Sequence, residues 1–529
     1  MEIVPVHSKR LHSPLHIRPP SNFISSFREF TASIYQFLLF HANPLWIQLC
    51  YFFFVSSIGF LLLKILPMRD AARNKPKDLD LFFMAVSANT VSSVDTVEME
   101  AFSNSQLMIL TLLMLLGGEV FISMVGLQFT RIKLEKKETP YNKANIELMS
   151  SKELANDSDQ PELGTVDSGA ISPESGSGYL RYSSIKQLGF VVLGYLLAVQ
   201  IVGYVLILAY VSLVPSARAV LDGKGIHFHT FSIFTTVSSF TNCGFIPTNE
   251  NMMVFKNGSG LLLLIIVQIL AGNTMFPSFL RLVILVFEKH SKRREFDFMA
   301  KNQREIGFDH LLPGRRAVLH ALNVLGFVMV QLILFCCFEW RSEGLDGLSP
   351  YRKILASLFQ SVNSRHAGET IVDLSIISPA ILVLYVVMMY LPFYTSFIPL
   401  GDDDGPSERK EGGSKRKNLV QNLILPELAC LAIFVIIICI TERKRLSEDP
   451  LNFSVLNIVI EVVSAYGNVG FSTGYGCERQ LKPIGQCEDT WVGFSGKWSA
   501  KGKLTLMAVM LFGRLKKFSM VGGKAWKLG

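Results

Sequence analysis

Long apolar stretches are the feature that most constrains this chain. A helix needs about 20 predominantly apolar residues to cross the hydrocarbon core of a bilayer. Only 18% of the residues are charged, against roughly 25% in soluble domains, which favours a membrane protein. Besides the shorter and partly basic stretch Leu504–Phe518, seven stretches come close to that length: Trp46–Leu66, Gln106–Leu127, Leu188–Leu213, Gly260–Phe287, Ala317–Phe338, Ile377–Leu400 and Leu419–Ile440.

Four shorter and moderately apolar segments lie between the long ones. They are Leu79–Val91, Thr230–Cys243, Pro350–Ala367 and Val455–Val469. None is long enough to span a bilayer, and this length is typical of a re-entrant segment. The order long helix, short helix, polar loop, long helix therefore occurs four times. The sequence predicts an all-α polytopic membrane protein with four helix–pore loop–helix repeats and eight transmembrane helices.

The four short segments end in loops that share a register. Aligned, the loops read VSANTVSSV (Val86–Val94), VSSFTNCGF (Val237–Phe245), SVNSRHAGE (Ser361–Glu369) and VSAYGNVGF (Val463–Phe471). The eighth position is Ser93, Gly244, Gly368 or Gly470. The third copy drifts, because its valine, Val362, stands one place late.

Loops of this kind can carry ions. Non-helical backbone at membrane depth survives only inside protein or along a watery cavity. Four loops that converge on one axis can present carbonyl oxygens that replace the hydration shell of a cation. Glycine suits such a loop because it adopts backbone angles that strain other residues, although helix packing is the alternative role for a membrane glycine. We therefore predict a central cation pore with filter positions Ser93, Gly244, Gly368 and Gly470, and filter neighbours Ser92, Cys243, Ala367 and Val469.

The polar segments divide the chain and suggest its orientation. Lys and Arg are more frequent in the segments that lie inside if both termini are cytosolic, as in most membrane proteins. The predicted order is a cytosolic N-terminal segment (1–33), repeat 1 (34–130), a disordered cytosolic linker (131–186), repeat 2 (187–288), a basic cytosolic linker (289–316), repeat 3 (317–400), a charged cytosolic linker (401–418), repeat 4 (419–519) and a C-terminal tail (520–529).

Two cysteines and two asparagines mark the outer loops. Cys477 and Cys487 share one polar loop, where the compartment permits a disulfide and two free thiols are the alternative. Asn257 and Asn452 begin glycosylation sequons. No phosphate-binding loop or nucleophile–base arrangement occurs in the sequence, so an enzyme and a cofactor are not expected. The basic residues flank membrane segments, so nucleic acid is not an expected partner either.

Several motifs together resemble the plant high-affinity K+ transporter (HKT) family of the Trk/Ktr/HKT superfamily. They are TVSSVDTVEME (Thr90–Glu100), FTTVSSFTNCGFIPTNENM (Phe234–Met252), VNSRHAGE (Val362–Glu369), SAYGNVGFSTGYG (Ser464–Gly476) and MLFGRLKKF (Met510–Phe518). The resemblance covers all four repeats. It implies one permeation path for each chain and pairing into a homodimer in the lipid bilayer.

The serine at the first filter position refines what this resemblance implies. Family members with serine there are similar to the Na+-selective class I subgroup, whereas glycine goes with K+ or mixed transport. Ser93 therefore leads us to expect Na+ uniport down its electrochemical gradient across the plasma membrane, with Na+ held by the filter carbonyls. A mixed K+/Na+ transporter is the alternative, and a non-conducting regulatory subunit is the rival of another class.

Charged residues at membrane depth are functional candidates by default. Asp95 departs from the family pattern, and it either concentrates cations at the outer mouth, pairs with a base or caps a helix. Arg514 matches a basic residue that the relatives place near the pore, below the filter. Arg365 would repel cations on the axis, so we expect it to pair with Glu369 or Glu461.

Overall fold

The computed structural model describes residues 44–69, 76–134, 173–291, 293–365, 367–391, 427–480, 487 and 489–519. Within these ranges the chain forms helices and connecting loops, and no residue there lies in a strand. The predicted segments 1–33, 401–418 and 520–529 lie outside the described residues.

The helices follow the four-part order of the sequence. Repeat 1 contains α1 (Pro44–Ile65), α2 (Asp78–Asn89), α3 (Asn104–Gly117) and α4 (Glu119–Leu134). Repeat 2 contains α5 (Pro173–Leu213), α6 (Pro215–Gly223), α7 (Phe228–Thr241), α8 (Ser259–Ile269) and α9 (Phe276–His290), and α10 (Arg294–Lys301) and α11 (Gln303–Ile306) follow it. Repeat 3 contains α12 (Gly314–Glu339), α13 (Pro350–Asn363) and α14 (Pro379–Tyr390). Repeat 4 contains α15 (Glu427–Thr441), α16 (Arg443–Glu448), α17 (Val455–Gly467) and α18 (Ala500–Ser519).

Not all of these helices reach the length and apolarity expected of the eight transmembrane helices that the sequence predicts. Among the described residues, three helices are long and apolar enough to cross a membrane, and up to five spans result if each bent pair is one span. The three remaining predicted spans correspond to α14, α15 and α18. Of these, α14 ends at Tyr390, although the apolar stretch runs to Leu400, and residues 392–400 lie outside the described ranges.

Two predicted spans are bent rather than straight. The axis turns by 52° between α3 and α4 and by 86° between the helix Ser259–Thr274 and α9. Each bend lies where a short helix ends. A Cβ atom at Gly117 would collide with the carbonyl oxygen of Asn89, and one at Gly272 with that of Phe240. The spanning helix therefore lets the end of a short helix approach its backbone, and around Gly272 it opens into a π-helical turn.

Short helices lie at all four predicted segments, as α2, α7, α13 and α17, which we call the pore helices. Their C-terminal halves are buried. Local chemistry sets two of the starts. Ser454 caps α17 by accepting a hydrogen bond from the Asn457 amide, and Ser349 precedes the proline at the first position of α13.

Two of the predicted linkers contain residues that are helical in the structure. Within 131–186, α4 runs to Leu134 and α5 already begins at Pro173. Within 289–316, α10 and α11 fold because Phe296, Phe298 and Met299 bury their side chains against the helices of repeat 2. The polar composition of the linker 289–316 gave no indication that these few apolar residues would fold it into helices.

The outer surfaces of the long helices are apolar. Trp46 and Phe54 of α1 are 62% and 65% exposed, and Ile201 of α5 and Val318 of α12 are each 60% exposed. Continuous exposed apolar surface of this kind marks a face that meets lipid.

Candidate functional site

The ends of the four pore helices meet in one ring. Its parts are loop 1 (Val91–Val94), loop 2 (Asn242–Phe245), loop 3 (Ala367–Glu369) and loop 4 (Asn468–Phe471). A Cβ atom at Gly244 would collide with the Ala367 carbonyl oxygen, one at Gly368 with the Val469 carbonyl oxygen, and one at Gly470 with the Cβ atom of Ser93. The Cys243 thiol lies close to the backbone of Ser93, which closes the ring.

The four positions aligned in the sequence all have positive φ angles. Their φ angles are +52° at Ser93, +96° at Gly244, +76° at Gly368 and +102° at Gly470. Positive φ costs little at glycine, whereas it is uncommon at other residues. Ser93 therefore adopts a conformation that glycine provides in the other three loops.

A polar side chain of the pore helix clamps the loop in three repeats. In repeat 2, Ser238 accepts the Cys243 amide on its carbonyl oxygen at 2.9 Å and the Gly244 amide on its Oγ at 3.0 Å. Ser464 does the same for Val469 and Gly470, each at 3.0 Å. In each loop two successive amides are thereby fixed, which orients the carbonyl group that lies between them.

Repeat 3 uses an asparagine for the same purpose. The Asn363 carbonyl oxygen accepts the Gly368 amide at 3.1 Å, and its Oδ1 accepts the Glu369 amide at 3.1 Å. The clamped pair of amides lies one residue later than in repeats 2 and 4. The drift seen in the sequence of this copy thus has a structural counterpart, since Val362-Asn363 replaces the Val-Ser pair.

Repeat 1 completes only half of this clamp. The Ser87 carbonyl oxygen accepts the Ser92 amide at 2.8 Å, but the buried Ser87 Oγ has no hydrogen-bond partner. Val91 also has φ +51°, where loops 2 and 4 have Asn242 (+57°) and Asn468 (+48°). Left-handed backbone is unfavourable for a β-branched residue and tolerated by asparagine. Loop 1 is therefore strained at two positions and has fewer local restraints.

Loop 1 is instead connected to repeat 4. The Asn468 amide donates to Ser92 Oγ at 2.8 Å and to the Met510 carbonyl oxygen at 3.2 Å. Thr90 Oγ1 lies 2.8 Å from the same Ser92 hydroxyl. The sequence reasoning missed Asn468 and the clamp residues Ser238, Asn363 and Ser464. The repeated Val-Ser pairs were the signal that pointed to two of the clamps.

Arg365 lies against an aromatic ring, since its guanidinium carbon is 4.2 Å from the centre of the Phe327 ring. Its ion pair with Glu369 or Glu461 stays a prediction. Glu369 accepts a hydrogen bond from Ser239 Oγ at 2.6 Å, and Glu461 accepts one from the Ser495 amide at 3.1 Å. One oxygen of each buried acid thus accepts a hydrogen bond from a neutral donor, whereas the other oxygen has no hydrogen-bond partner among the described residues. The guanidinium of Arg365 lies against an aromatic face.

Asp95 and Arg514 have different surroundings. Asp95 lines a cavity of about 500 Å³ together with Ser93, Gly368 and Gly470, and its Oδ1 accepts the Gly493 amide at 2.8 Å. Among the described residues, Asp95 thus bonds to this amide rather than to a basic side chain or the start of the helix that follows it, the two structural roles that the sequence offers. Arg514 is buried, and it donates to the carbonyl oxygen of Gly117, where α3 ends.

An ion-pair cluster joins repeats 1 and 2 outside the ring. Lys224 Nζ lies 2.6 Å from Glu100 Oε1 and 2.5 Å from Glu250 Oε2. Partial burial acts to lower the pKa of Lys224, but the hydrogen bonds and charges of both carboxylates outweigh it, so the pKa is raised. The cluster stays charged at neutral pH and holds the two outer loops together.

The remaining predicted outer-loop residues differ in accessibility. Cys477 and Cys487 are joined by a disulfide. Asn257 is exposed and accepts a hydrogen bond from Arg352. Asn452 is fully buried, and its amide donates to Asp449 and to the Gly476 carbonyl oxygen. A glycosylation site at Asn452 is therefore incompatible with this fold, because its side-chain nitrogen is buried and already bonded.

Together these features define a class of protein. Apolar helices surround four buried loops that share positive φ angles at the aligned positions, and a cavity lies outside the loops. This is the arrangement of a membrane protein built around pore loops.

Comparison with known proteins gives the particular family. The family model TrkH, described as a cation transport protein, matches residues 172–398 and 413–525. Cation transporter HKT1;3 of Oryza sativa subsp. japonica is 48% identical over 513 residues, which cover 96% of each chain. Sodium transporter HKT1 of Arabidopsis thaliana is 49% identical over 475 residues, 88% of this chain and 91% of that one. This chain therefore belongs to the TrkH family of cation transport proteins and is a cation transporter of the HKT/Trk type.

One solved structure also aligns with the chain. The potassium transporter TrkH from Vibrio parahaemolyticus covers 90% of this chain and 83% of its own, with 14% identity and a TM-score of 0.47.

Proposed function

We propose that the protein is a channel-like Na+ uniporter whose selectivity filter consists of Ser93, Gly244, Gly368 and Gly470. The observation that carries the proposal is the ring itself. Four positions in register share positive φ angles, and at three of them a side chain would collide with the next loop. Such close backbone approach is what carbonyl coordination of a dehydrated ion requires. The filter neighbours Ser92, Cys243, Ala367 and Val469 add carbonyls to the same ring.

The preference for Na+ rests on Ser93. Three glycines and one serine make the ring asymmetric, because one corner carries a side chain and a strained backbone. The relative from Arabidopsis thaliana that is 49% identical is named a sodium transporter. Transport of both K+ and Na+ is the second candidate, since three of the four loops keep glycine at the filter position.

The setting of this transporter is part of the proposal. We place both termini in the cytosol, because Lys and Arg are more frequent in the segments that are then inside. The plasma membrane and the homodimer are what the resemblance to the HKT family implies. Ions run down their electrochemical gradient without a cofactor. We propose that the buried Arg514 raises the barrier to cations below the filter, a role that its burial at membrane depth supports.

Two-electrode recording in oocytes tests this function. With Na+ and K+ exchanged in the bath, we expect the reversal potential to follow external Na+ and to respond weakly to K+. Equal responses to both ions would establish the mixed transporter. Absence of cation current at confirmed surface expression would overturn conduction and return the chain to the regulatory class.

A further inference from the structure

A short outer segment crosses the boundary between repeats 4 and 1. We call Trp491–Ser495 the outer strap. It follows the loop closed by the Cys477–Cys487 disulfide and precedes α18. Its residues Trp491 and Gly493 line the cavity outside the ring, next to Ser93 and Gly470.

Side chains of two repeats hold the strap by its backbone amides. From repeat 1, Glu98 Oε1 accepts the Trp491 amide at 3.1 Å and Asp95 Oδ1 accepts the Gly493 amide at 2.8 Å. From repeat 4, Ser472 Oγ accepts the Phe494 amide at 2.7 Å and Glu461 Oε1 accepts the Ser495 amide at 3.1 Å. Four of the five amides in the segment are thus bonded to side chains.

The two central anchors occupy the same position in their loops. Asp95 stands two residues after Ser93, and Ser472 stands two residues after Gly470. Neighbouring loops therefore attach to adjacent residues of the strap, Gly493 and Phe494. The strap fixes the distance between loops 1 and 4 on the outer side of the ring.

The hydrogen bond between the Gly493 amide and Asp95 requires a residue without a side chain at position 493. A Cβ atom at residue 493 would lie 2.7 Å from Asp95 Oδ1 and 3.1 Å from the Asp95 carbonyl oxygen. The amide reaches the carboxylate because the residue is glycine. The φ of Gly493 is −56°, so the backbone conformation itself would suit any residue.

Loop 1 needs such an external restraint more than the other loops do. Its filter residue has positive φ without being glycine, and the Ser87 hydroxyl does not complete the clamp on the inner side. A strained backbone persists only where its surroundings over-determine it. The Gly493 amide supplies a restraint two residues beyond Ser93.

We propose that Asp95 is a positioning residue, which holds filter loop 1 against the outer strap through its hydrogen bond with the Gly493 amide, and that its charge is dispensable for selectivity. The inference rests on the proposed conduction through Ser93. In this role Asp95 restrains the position of loop 1, and it does not act by attracting cations to the outer mouth.

Three variants separate the two roles. Asp95→Asn keeps an acceptor oxygen and removes the charge, and Asp95→Ala removes both. Gly493→Ala keeps the charge and pushes the carboxylate away. Gly223→Ala is the matched control, because a Cβ atom there meets nothing within 4 Å. The readouts are Na+ conductance and the Na+/K+ permeability ratio in oocytes, normalised to surface-labelled protein.

A positioning role predicts that Asp95→Asn stays within about twofold of the wild type in both readouts. Asp95→Ala and Gly493→Ala should both lower the permeability ratio by roughly fivefold, as expected for one lost hydrogen bond. The inference is overturned if Asp95→Asn falls as far as Asp95→Ala, or if Asp95→Ala matches the wild type. If Gly493→Ala does not reach the surface, the Asn and Ala pair decides alone. A wild-type protein without current would contradict the proposed function instead.

Discussion

Loops 1 and 4 are neighbours in the ring, but the hydrogen bonds that hold them come from different parts of the chain. Loop 4 has glycine at the filter position, asparagine two residues earlier and a complete serine clamp from its own pore helix. Loop 1 has serine and valine at those positions and half a clamp. Its restraints come from repeat 4, through Asn468 on Ser92 and the Gly493 amide on Asp95. A loop can therefore depart from the repeat pattern when another repeat supplies the missing bonds.

Adding a second serine at the filter position of loop 4 should have the largest effect. In Gly470→Ser the new Cβ atom would collide with that of Ser93. With the strain of positive φ, about 1–2 kcal/mol, we expect more than roughly a tenfold loss of Na+ current per surface molecule. The double variant Ser93→Gly/Gly470→Ser removes the collision and should recover part of the current. Gly347→Ser is the control, since Gly347 also has positive φ but no atom near its Cβ position.

Removing the serine should have a smaller and selective effect. Ser93→Gly relieves about 1–2 kcal/mol of left-handed strain and makes the ring symmetric. We expect K+ permeability relative to Na+ to rise by roughly tenfold, with Na+ current preserved. The measurement is the shift of reversal potential when K+ replaces Na+. An unchanged shift would show that Ser93 does not set selectivity.

The substitution with the smallest expected effect tests the serine clamp of loop 4. Ser464→Ala removes the acceptor of the Gly470 amide and leaves that buried donor unsatisfied, which costs about 1 kcal/mol or more. We expect a change of roughly fivefold in the permeability ratio. Ser87→Ala is the matched variant in loop 1, and it should change little because the Ser87 hydroxyl makes no hydrogen bond. Equal effects of both substitutions would contradict the difference between the loops.

Periodicity and register were readable in the sequence because both are local. The short helices lie at the four predicted segments, and the four aligned positions come together in one ring with positive φ angles. The bends were not readable. They arise where the end of a pore helix approaches Gly117 or Gly272, and hydropathy counts apolar residues without recording such contacts.

The contacts of the charged residues were not readable in the sequence either. Arg365 was expected near an acid because opposite charges attract, and the sequence did not indicate that its guanidinium would lie over Phe327. Glu461 accepts an amide of the outer strap, which lies 34 residues away in the chain. Buried carboxylates can be satisfied by neutral donors as well as by cations, so charge alone does not identify a partner.

Hydropathy, repeat spacing and the Val-Ser pairs by themselves determined that this is a four-repeat helical membrane protein with a serine at one loop position where the other three have glycine. Only the tertiary structure decided how that serine is held. The Asn468–Ser92 and Gly493–Asp95 bonds join residues 376 and 398 positions apart. No local pattern encodes such bonds, because they form only after four repeats have packed around one axis and their loops have come within hydrogen-bonding distance.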